Sequence, residues 1–412
     1  MSQKNTKDYD VIIVGAGLIG AALALLLAKK TELKLAVVER AEPLKPSVES
    51  KASNQRVVAL GHAAKQVLSQ VGVFEQLSEQ HCYPYQRMFV WDENSHGELE
   101  FNTDDLNDLI GESETDTIDS LGYMVDSLYC NYVLQKALLE LNDVDCFFSA
   151  SPMNLELDSN ATKATLQLLT EGQDEQSLGT RLVVAADGGN SWVRQQARIF
   201  ANRQSYQQRG IVANVKSSFA HQDTAWQRFL NTGPIAVLPL SNNHSSIVWS
   251  AEHELAQSLM ALDDAEFCES LSQALDGRLG EFELCSKRLS FDLQSQRAET
   301  YFANHVVLIG DAAHSIHPLA GQGANLGFKD IACLASLLQN TSAKDCADPV
   351  LLQRYERVRK ADNEQTDLMM SALNKAYQGQ AGFWLAIRGT GMNWLNRSGS
   401  IKRLLAKQAM GL

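Results

Sequence analysis

The sequence has no pair of cysteines in C-x-x-C spacing; its seven cysteines are scattered along 412 residues. That argues against a disulfide framework or a zinc ribbon and suits a reducing compartment. No apolar run approaches the roughly 18 residues that would cross a bilayer as a helix. The opening MSQKNTKDYD carries acids and leads straight into a strand pattern, so no signal peptide is expected. There is no positive excess either: the net charge of −13 argues against nucleic acid as a partner. Internal repeats and low-complexity linkers are also missing. What remains, 45% hydrophobic and 21% charged, is a globular composition. The chain is too long for one ordinary core, so two domains are expected.

The charge is unevenly spread. From 379 to 412 there are five basic residues (Arg388, Arg397, Lys402, Arg403, Lys407) and no acid, leaving 31 basic and 49 acidic side chains elsewhere, a balance of −18. The same segment holds Phe383, Trp384, Leu385, Ile387, Trp394 and Leu395. Basic plus aromatic is the composition of a helix lying on a membrane surface. A docked C-terminal helix with a solvated face is the alternative.

YDVIIVGAGLIGAALALLLAKK reads as a buried strand, a tight turn and a helix, and LKLAVVER (33–40) as a second parallel strand. The chain therefore opens with a βαβ unit. Helical spacing recurs over 62–77, 133–142 and 263–276, and from 349 onward. The acidic stretch 102–120 reads as a solvated excursion. TRLVVAADGGNSWVR (180–194) is a strand, turn and helix, 205–250 has β-type patterns, and 305–311 returns to a buried strand.

GAGLIG sets Gly15, Gly17 and Gly20 in G-x-G-x-x-G spacing, with Leu18 inside the turn. The glycines let the backbone approach a pyrophosphate, and the helix behind them offers free N–H groups and a positive dipole end. Glu39 follows at the end of the second strand, with Arg40 beside it. An acid there accepts hydrogen bonds from a ribose diol and repels a 2′-phosphate, so FAD or NAD is expected rather than NADP. Asp187-Gly188 and Gly310-Asp311 mark two further strand ends. Each acid alone reads as a turn former or cap. One long cofactor across the carboxyl edge of a single sheet explains all three ends, which favours FAD. A metal site from Asp311, His314 and His317 has plausible spacing, but the cofactor cradle uses the same residues.

These motifs (GAGLIG with Glu39, ADG followed by S-x-V-R, and GDAAHSIHPLAGQGANLG) resemble the aromatic-hydroxylase class of flavoprotein monooxygenases with the para-hydroxybenzoate hydroxylase fold. More narrowly, DAAHSIHPLAGQGANLGFKD with WQRF, GPIAVLPL, SIVWS and the closing KQAMGL is similar to the ubiquinone-biosynthesis FAD-dependent aromatic hydroxylases, and within them to the polyprenylphenol hydroxylases. The resemblance runs nearly end to end. It implies an α/β fold: a Rossmann-like FAD-binding domain (1–80, 121–200 and 295–345), a discontinuous β-sheet substrate domain (81–120 and 201–294) and a C-terminal helical region (346–412).

The resemblance also implies roles. Asp311 would bind the ribityl chain, Arg56 would offset the pyrophosphate, and Asp187 would serve both FAD and a transient NAD(P)H. Gly321, Gly323, Ala324 and Asn325 would lie at the flavin ring, with helix N–H groups facing its N1–C2=O edge. His317, Pro318 and Gln322 are flavin-face candidates, and no general base is named. The family usually shows Val-Glu-Asn before the helix near 130; here MVDSLYC supplies Asp126-Ser127, which puts the adenosine contact on the shorter Ser127. The implied reaction is hydroxylation of a polyprenylated phenol with NAD(P)H and O2 through a C4a-hydroperoxyflavin. The alternatives are a scaffold subunit that binds FAD and a monooxygenase of the same fold acting on another aromatic ring. Trp226, Phe229, Pro234, Leu238 and Trp249 either line the substrate pocket or form core. A membrane-dissolved substrate fits a cytoplasmic protein held at the membrane surface through 379–412, where it could meet other ubiquinone-biosynthesis proteins.

Overall fold

The computed structural model describes residues 7–45, 56–93, 97–110, 118–157, 162–170, 172, 175–316 and 322–378, with backbone alone at 106, 108–110, 322 and 369–378. Five parallel strands form its centre, in the order Val306–Leu308, Glu175–Ala185, Lys7–Val14, Leu35–Val38 and Val144–Phe147. Their runs VIIV, LAVV, LVVA and VVL are apolar almost without interruption, as strands covered on both faces must be. The helix Leu18–Lys30 is buried from Gly20 to Leu27 and packs against the helices Ser127–Leu139 and Gln322–Gln339. Ala164–Thr170 pairs antiparallel with Glu175–Ala185, and Ala150–Glu156 pairs antiparallel with Ala164–Thr170 in turn.

A second sheet of nine strands is built around Ala201–Ser217, flanked by Leu289–Ala298 and His244–Glu252 and continued by Gly233–Pro239, Thr224–Leu230, Arg87–Asp92 and Glu98–Asn102. Its strands alternate. One set of residues, including Ile211, Val215, Val237, Ile247 and Trp249, packs with Phe267 and Leu271 from the helix Asp264–Ala274. The other set faces the first sheet across a cleft. A three-stranded sheet of Val57–Leu60, Gly122–Asp126 and Cys82–Tyr85 joins the two parts.

Three expectations are redrawn locally. The helix from His62 stops at Gln70, because Gly72 turns the chain at φ +75°, and only a short 3-10 turn, Phe74–Gln76, follows. The region 263–276 is preceded by a separate helix, His253–Ala261, and a reciprocal capping box between Asp263 and Glu266 starts the second one. Part of the acidic stretch is ordered: Asn102 and Asp105 exchange backbone-to-side-chain bonds of 3.0 Å and open a helix, Thr103–Ile110. The closing helix Pro349–Gln378 begins on proline, where no N–H is missed. Among the described residues no helix is long and apolar enough to cross a membrane. The basic aromatic segment 379–412 lies outside the described residues.

Candidate functional site

The carboxyl ends of four adjacent parallel strands meet along one edge. At the first, Gly15 adopts φ +104°, and a Cβ there would lie 2.4 Å from the Ala186 carbonyl oxygen. A Cβ on Gly20 would lie 1.9 Å from the Gly15 carbonyl oxygen. Both glycines let the helix start pressed against the sheet. Gly17 differs: no heavy atom lies within 4 Å of its would-be Cβ. It caps the helix without any side-chain hydrogen bond, so the first-turn N–H groups open into free space. Leu18, the first helical residue, lines the same space.

At the next strand end, Glu39 accepts hydrogen bonds from the backbone N–H groups of Ala16 (2.7 Å) and Ala41 (3.0 Å). Two bonds leave a carboxylate with further acceptor capacity. Arg40 is exposed beside it. On the other side, Asp187 uses its two oxygens differently. Its Oδ2 accepts from Trp192 N–H (2.7 Å) and Val193 N–H (3.1 Å), a turn-forming role, while its buried Oδ1 has no partner. Gly188 follows at φ +81° with open space above it.

Gly310 and Asp311 close the row. Asp311 is open to water yet ringed by protein, and that desolvation raises its pKa above the usual carboxylate value against the pull of His314 and Arg56. Behind the turn, the fully buried Asp330 accepts from Gly310 N–H (2.9 Å) and Arg359 Nε (2.7 Å) and lies 2.6 Å from His314 Nε2. Burial pushes the Asp330 pKa up, but His314 and Arg359 outweigh it and hold the group below its ordinary value. Arg359 belongs to the closing helix, which thereby reaches back to the turn. Arg194 spans the neighbouring turns, donating to Ala312 O (2.7 Å) and Gly189 O (2.9 Å).

The helix Gln322–Gln339 starts at this edge. Gly323 has no heavy atom near its would-be Cβ, and Gly323 and Ala324 line the cleft. The Asn325 side chain joins its helix to the joining sheet, accepting from Gly61 N–H (2.8 Å) and donating to Ala59 O (2.9 Å). Arg56 is exposed and also lines the cleft; its carbonyl accepts from Ser127 through N–H (2.8 Å) and Oγ (2.7 Å). Ser127 thus faces the cleft with its hydroxyl proton already engaged, while Asp126 caps the helix through Leu128 and Tyr129 N–H. His317, Pro318 and Gly321 lie outside the described residues, as does the Gln322 side chain.

One cleft of about 620 Å³ runs from these turns to the inner face of the nine-stranded sheet. Trp226, Pro234 and Leu238 line it; Phe229 and Trp249 are buried, Trp249 against Phe267. The edge fits an adenine dinucleotide: free helix N–H groups and the space above Gly17, Gly188 and Gly323 all face one hollow, while the unpartnered Asp187 oxygen lies buried just behind it.

Sequence reasoning passed over Gln135, Asp330 and Arg359, and saw Arg194 as part of a motif without its partners. Gln135 is buried, donates to Ala16 O (2.8 Å) and accepts from Leu44 N–H (2.8 Å), so it holds the glycine turn from another helix. A polar residue on an apolar helix face was its only signal.

A carboxyl-edge dinucleotide cradle opening onto an apolar β-sheet face defines a flavoprotein monooxygenase with the para-hydroxybenzoate hydroxylase-like fold. The family described as FAD binding domain matches residues 8–367, and the chain belongs to it. It is 31% identical to the 3-demethoxyubiquinol 3-hydroxylase of Escherichia coli (strain K12), covering 98% of each chain. It is also 31% identical to the ubiquinone hydroxylase UbiL of Rhodospirillum rubrum, over 98% of this chain and 90% of that one. Among solved structures, the p-nitrophenol 4-monooxygenase PnpA of Pseudomonas putida DLL-E4 superposes with a TM-score of 0.76 at 18% identity, covering 98% of both chains. PqsL of Pseudomonas aeruginosa, a probable FAD-dependent monooxygenase, gives 0.74 at 20% identity over 94% of this chain and 100% of that one. The chain is an FAD-dependent aromatic monooxygenase.

Proposed function

We propose that this enzyme hydroxylates the aromatic ring of a polyprenylated phenol in ubiquinone biosynthesis, with NAD(P)H as transient reductant and O2 as oxidant. The supporting observation is a continuous cleft, polar and glycine-lined at the sheet edge and mostly apolar on the far wall. The relatives named for ubiquinone hydroxylation point to the same substrate class. When bound, the flavin takes hydride from the nicotinamide and activates O2, so that one oxygen atom enters the ring and the other leaves as water.

In this reading Gly15, Gly17, Leu18 and Gly20 receive the pyrophosphate, with Arg56 offsetting its charge, and Glu39 accepts from the ribose. Ser127 faces the adenosine portion, Asp187 with Gly188 forms the turn that meets the dinucleotides, and Asp311 accepts from the ribityl chain. The N–H groups of Gly323, Ala324 and Asn325 stabilise negative charge on the reduced ring. His317, Pro318, Gly321 and Gln322 flank the flavin, and the mostly apolar far wall orients the phenol and excludes water. The cofactor part comprises 1–80, 121–200 and 295–345, the substrate part 81–120 and 201–294, and 346–412 the helical region. The segment 379–412 would hold the enzyme to the membrane or to other ubiquinone-biosynthesis proteins.

The test is deletion of the gene followed by lipid extraction and mass spectrometry. An accumulated under-hydroxylated polyprenylphenol is expected, its structure identifying the ring position. Unchanged lipids, together with no oxygenated product from purified FAD-loaded enzyme, NAD(P)H and a short-chain prenylphenol, would refute the assignment.

A further inference from the structure

The far wall of the cleft follows from strand register. Leu289 pairs with Val212, Val212 with Val248, Val248 with Ala236, and Ala236 with Gln227. One row along, Asn214 pairs with Ser246 and Ser246 with Leu238. All of these line the cleft. Within this apolar surface Asn214 is 6% exposed, Gln227 6% and Ser246 5%. Among the described residues their side chains have no hydrogen-bond partner, yet their polar atoms are not sealed in the protein and so open into the cleft. Asn214 uses only its backbone, whose N–H donates to Ser286 Oγ (2.8 Å). Water can serve these groups while the cleft is open, but a ligand that displaces it must replace those hydrogen bonds, so the wall favours a ligand with a polar group to meet them.

The wall also says which ligand group it takes. Amides and a hydroxyl offer neutral donors and acceptors. A carboxylate buried there would need an arginine or lysine. Lys287 is exposed at the rim, and Arg56 belongs to the cofactor end. Tyr85, also on the cleft, is kept neutral because burial pushes its hydroxyl up to about 12. Leu289 and Phe291, 44% and 42% exposed, form an apolar edge where the row meets solvent.

We infer that Asn214 and Ser246, neighbours on paired strands, grip the ring hydroxyl of an uncharged phenol and determine specificity against ring carboxylates, with the prenyl chain leaving past Leu289 and Phe291. This rests on the proposed polyprenylphenol hydroxylase activity. The test uses the FAD-loaded enzyme and three probes: a geranylphenol, the same molecule without its hydroxyl, and the same phenol carrying a ring carboxylate. Trp226 lines the cleft, so tryptophan fluorescence reports binding without turnover.

Wild type should bind the phenol about 10- to 100-fold more tightly than the hydroxyl-free probe, the range for one buried polar group losing its partner. The carboxylate should bind at least as weakly as the hydroxyl-free probe. Asn214→Leu and Ser246→Ala should each lose part of the phenol preference while binding the hydroxyl-free probe as wild type does. They should also form less hydroxylated product per NAD(P)H oxidised. Equal loss for both probes would mean a merely structural role and overturn the inference. So would wild type binding phenol and hydroxyl-free probe alike, a result that needs no variant. If wild type hydroxylates the phenol and the variants match it, this inference alone fails. If wild type neither binds nor hydroxylates any prenylphenol, the functional assignment fails with it.

Discussion

Two glycines three residues apart should answer differently to the same methyl group. Gly17 has φ −73° and ψ −177°, which alanine adopts freely, and nothing lies within 4 Å of the added carbon. Gly17→Ala lowers the entropy of the unfolded chain, worth about 0.4–1 kcal/mol, and loses a similar amount as a poorer helix cap. The apoprotein melting temperature should therefore move by no more than about 2 °C. At Gly20 the added carbon would lie 1.9 Å from the Gly15 carbonyl oxygen and 3.0 Å from Ala186 Cβ. Backbone cannot swing aside as a flexible side chain can, so the helix must lift from the sheet. That overpacking costs about 3 kcal/mol or more. FAD affinity should separate the two further. The Gly17→Ala methyl stands in front of the free N–H groups; losing about 2–4 kcal/mol of charge-assisted hydrogen bonding and dipole attraction weakens FAD binding about 30- to 1000-fold. Thermal melts of the apoproteins and titration with FAD measure both quantities. A Gly17→Ala protein that binds FAD as wild type does, or that melts as low as Gly20→Ala, would refute the reasoning.

Asp330→Ala strands Arg359 and His314 beside a void and should cost about 3–5 kcal/mol in urea unfolding. Because the native pKa of Asp330 is depressed, its stabilisation is present above the unfolded carboxyl pKa of about 3.9 and is lost as pH falls below it; stability–pH curves of wild type and variant should converge in acid. Asp311 has the opposite sign: its native pKa is raised, so its ionisation opposes folding above the unfolded pKa, within the limit set by the water that reaches it. Asp311→Asn should leave the apoprotein as stable as wild type at neutral pH or slightly more so, while FAD binding weakens; a clear loss of apoprotein stability would count against this. Gln135→Leu leaves Ala16 O and Leu44 N–H unpaired and should cost about 1–3 kcal/mol with a measurable loss of FAD affinity by titration.

Much of the cofactor edge was legible because its requirements are local. A glycine at φ +104°, a helix that must start against a sheet, and an apolar run ending in an acid leave their signature within a few neighbouring residues. The split role of Asp187 was not legible. Its two oxygens look alike in sequence, and only the turn back to Trp192 and Val193 decides which one is used. Likewise the acidic stretch near 105 looked solvated on composition, and its helix comes from a reciprocal cap that composition does not report.

By itself the sequence determined the parallel strands, the glycine turn and the acids that end each strand, since periodicity and backbone sterics act over short spans. The tertiary structure alone decided that Glu39, Gly15, Asp187 and Asp311 lie on adjacent strands, that Arg359 reaches Asp330, and that Asn214 and Gln227 share one wall with Val212 and Val248. Those neighbours are set by strand order and register, which depend on how separate segments pair and which no single segment records.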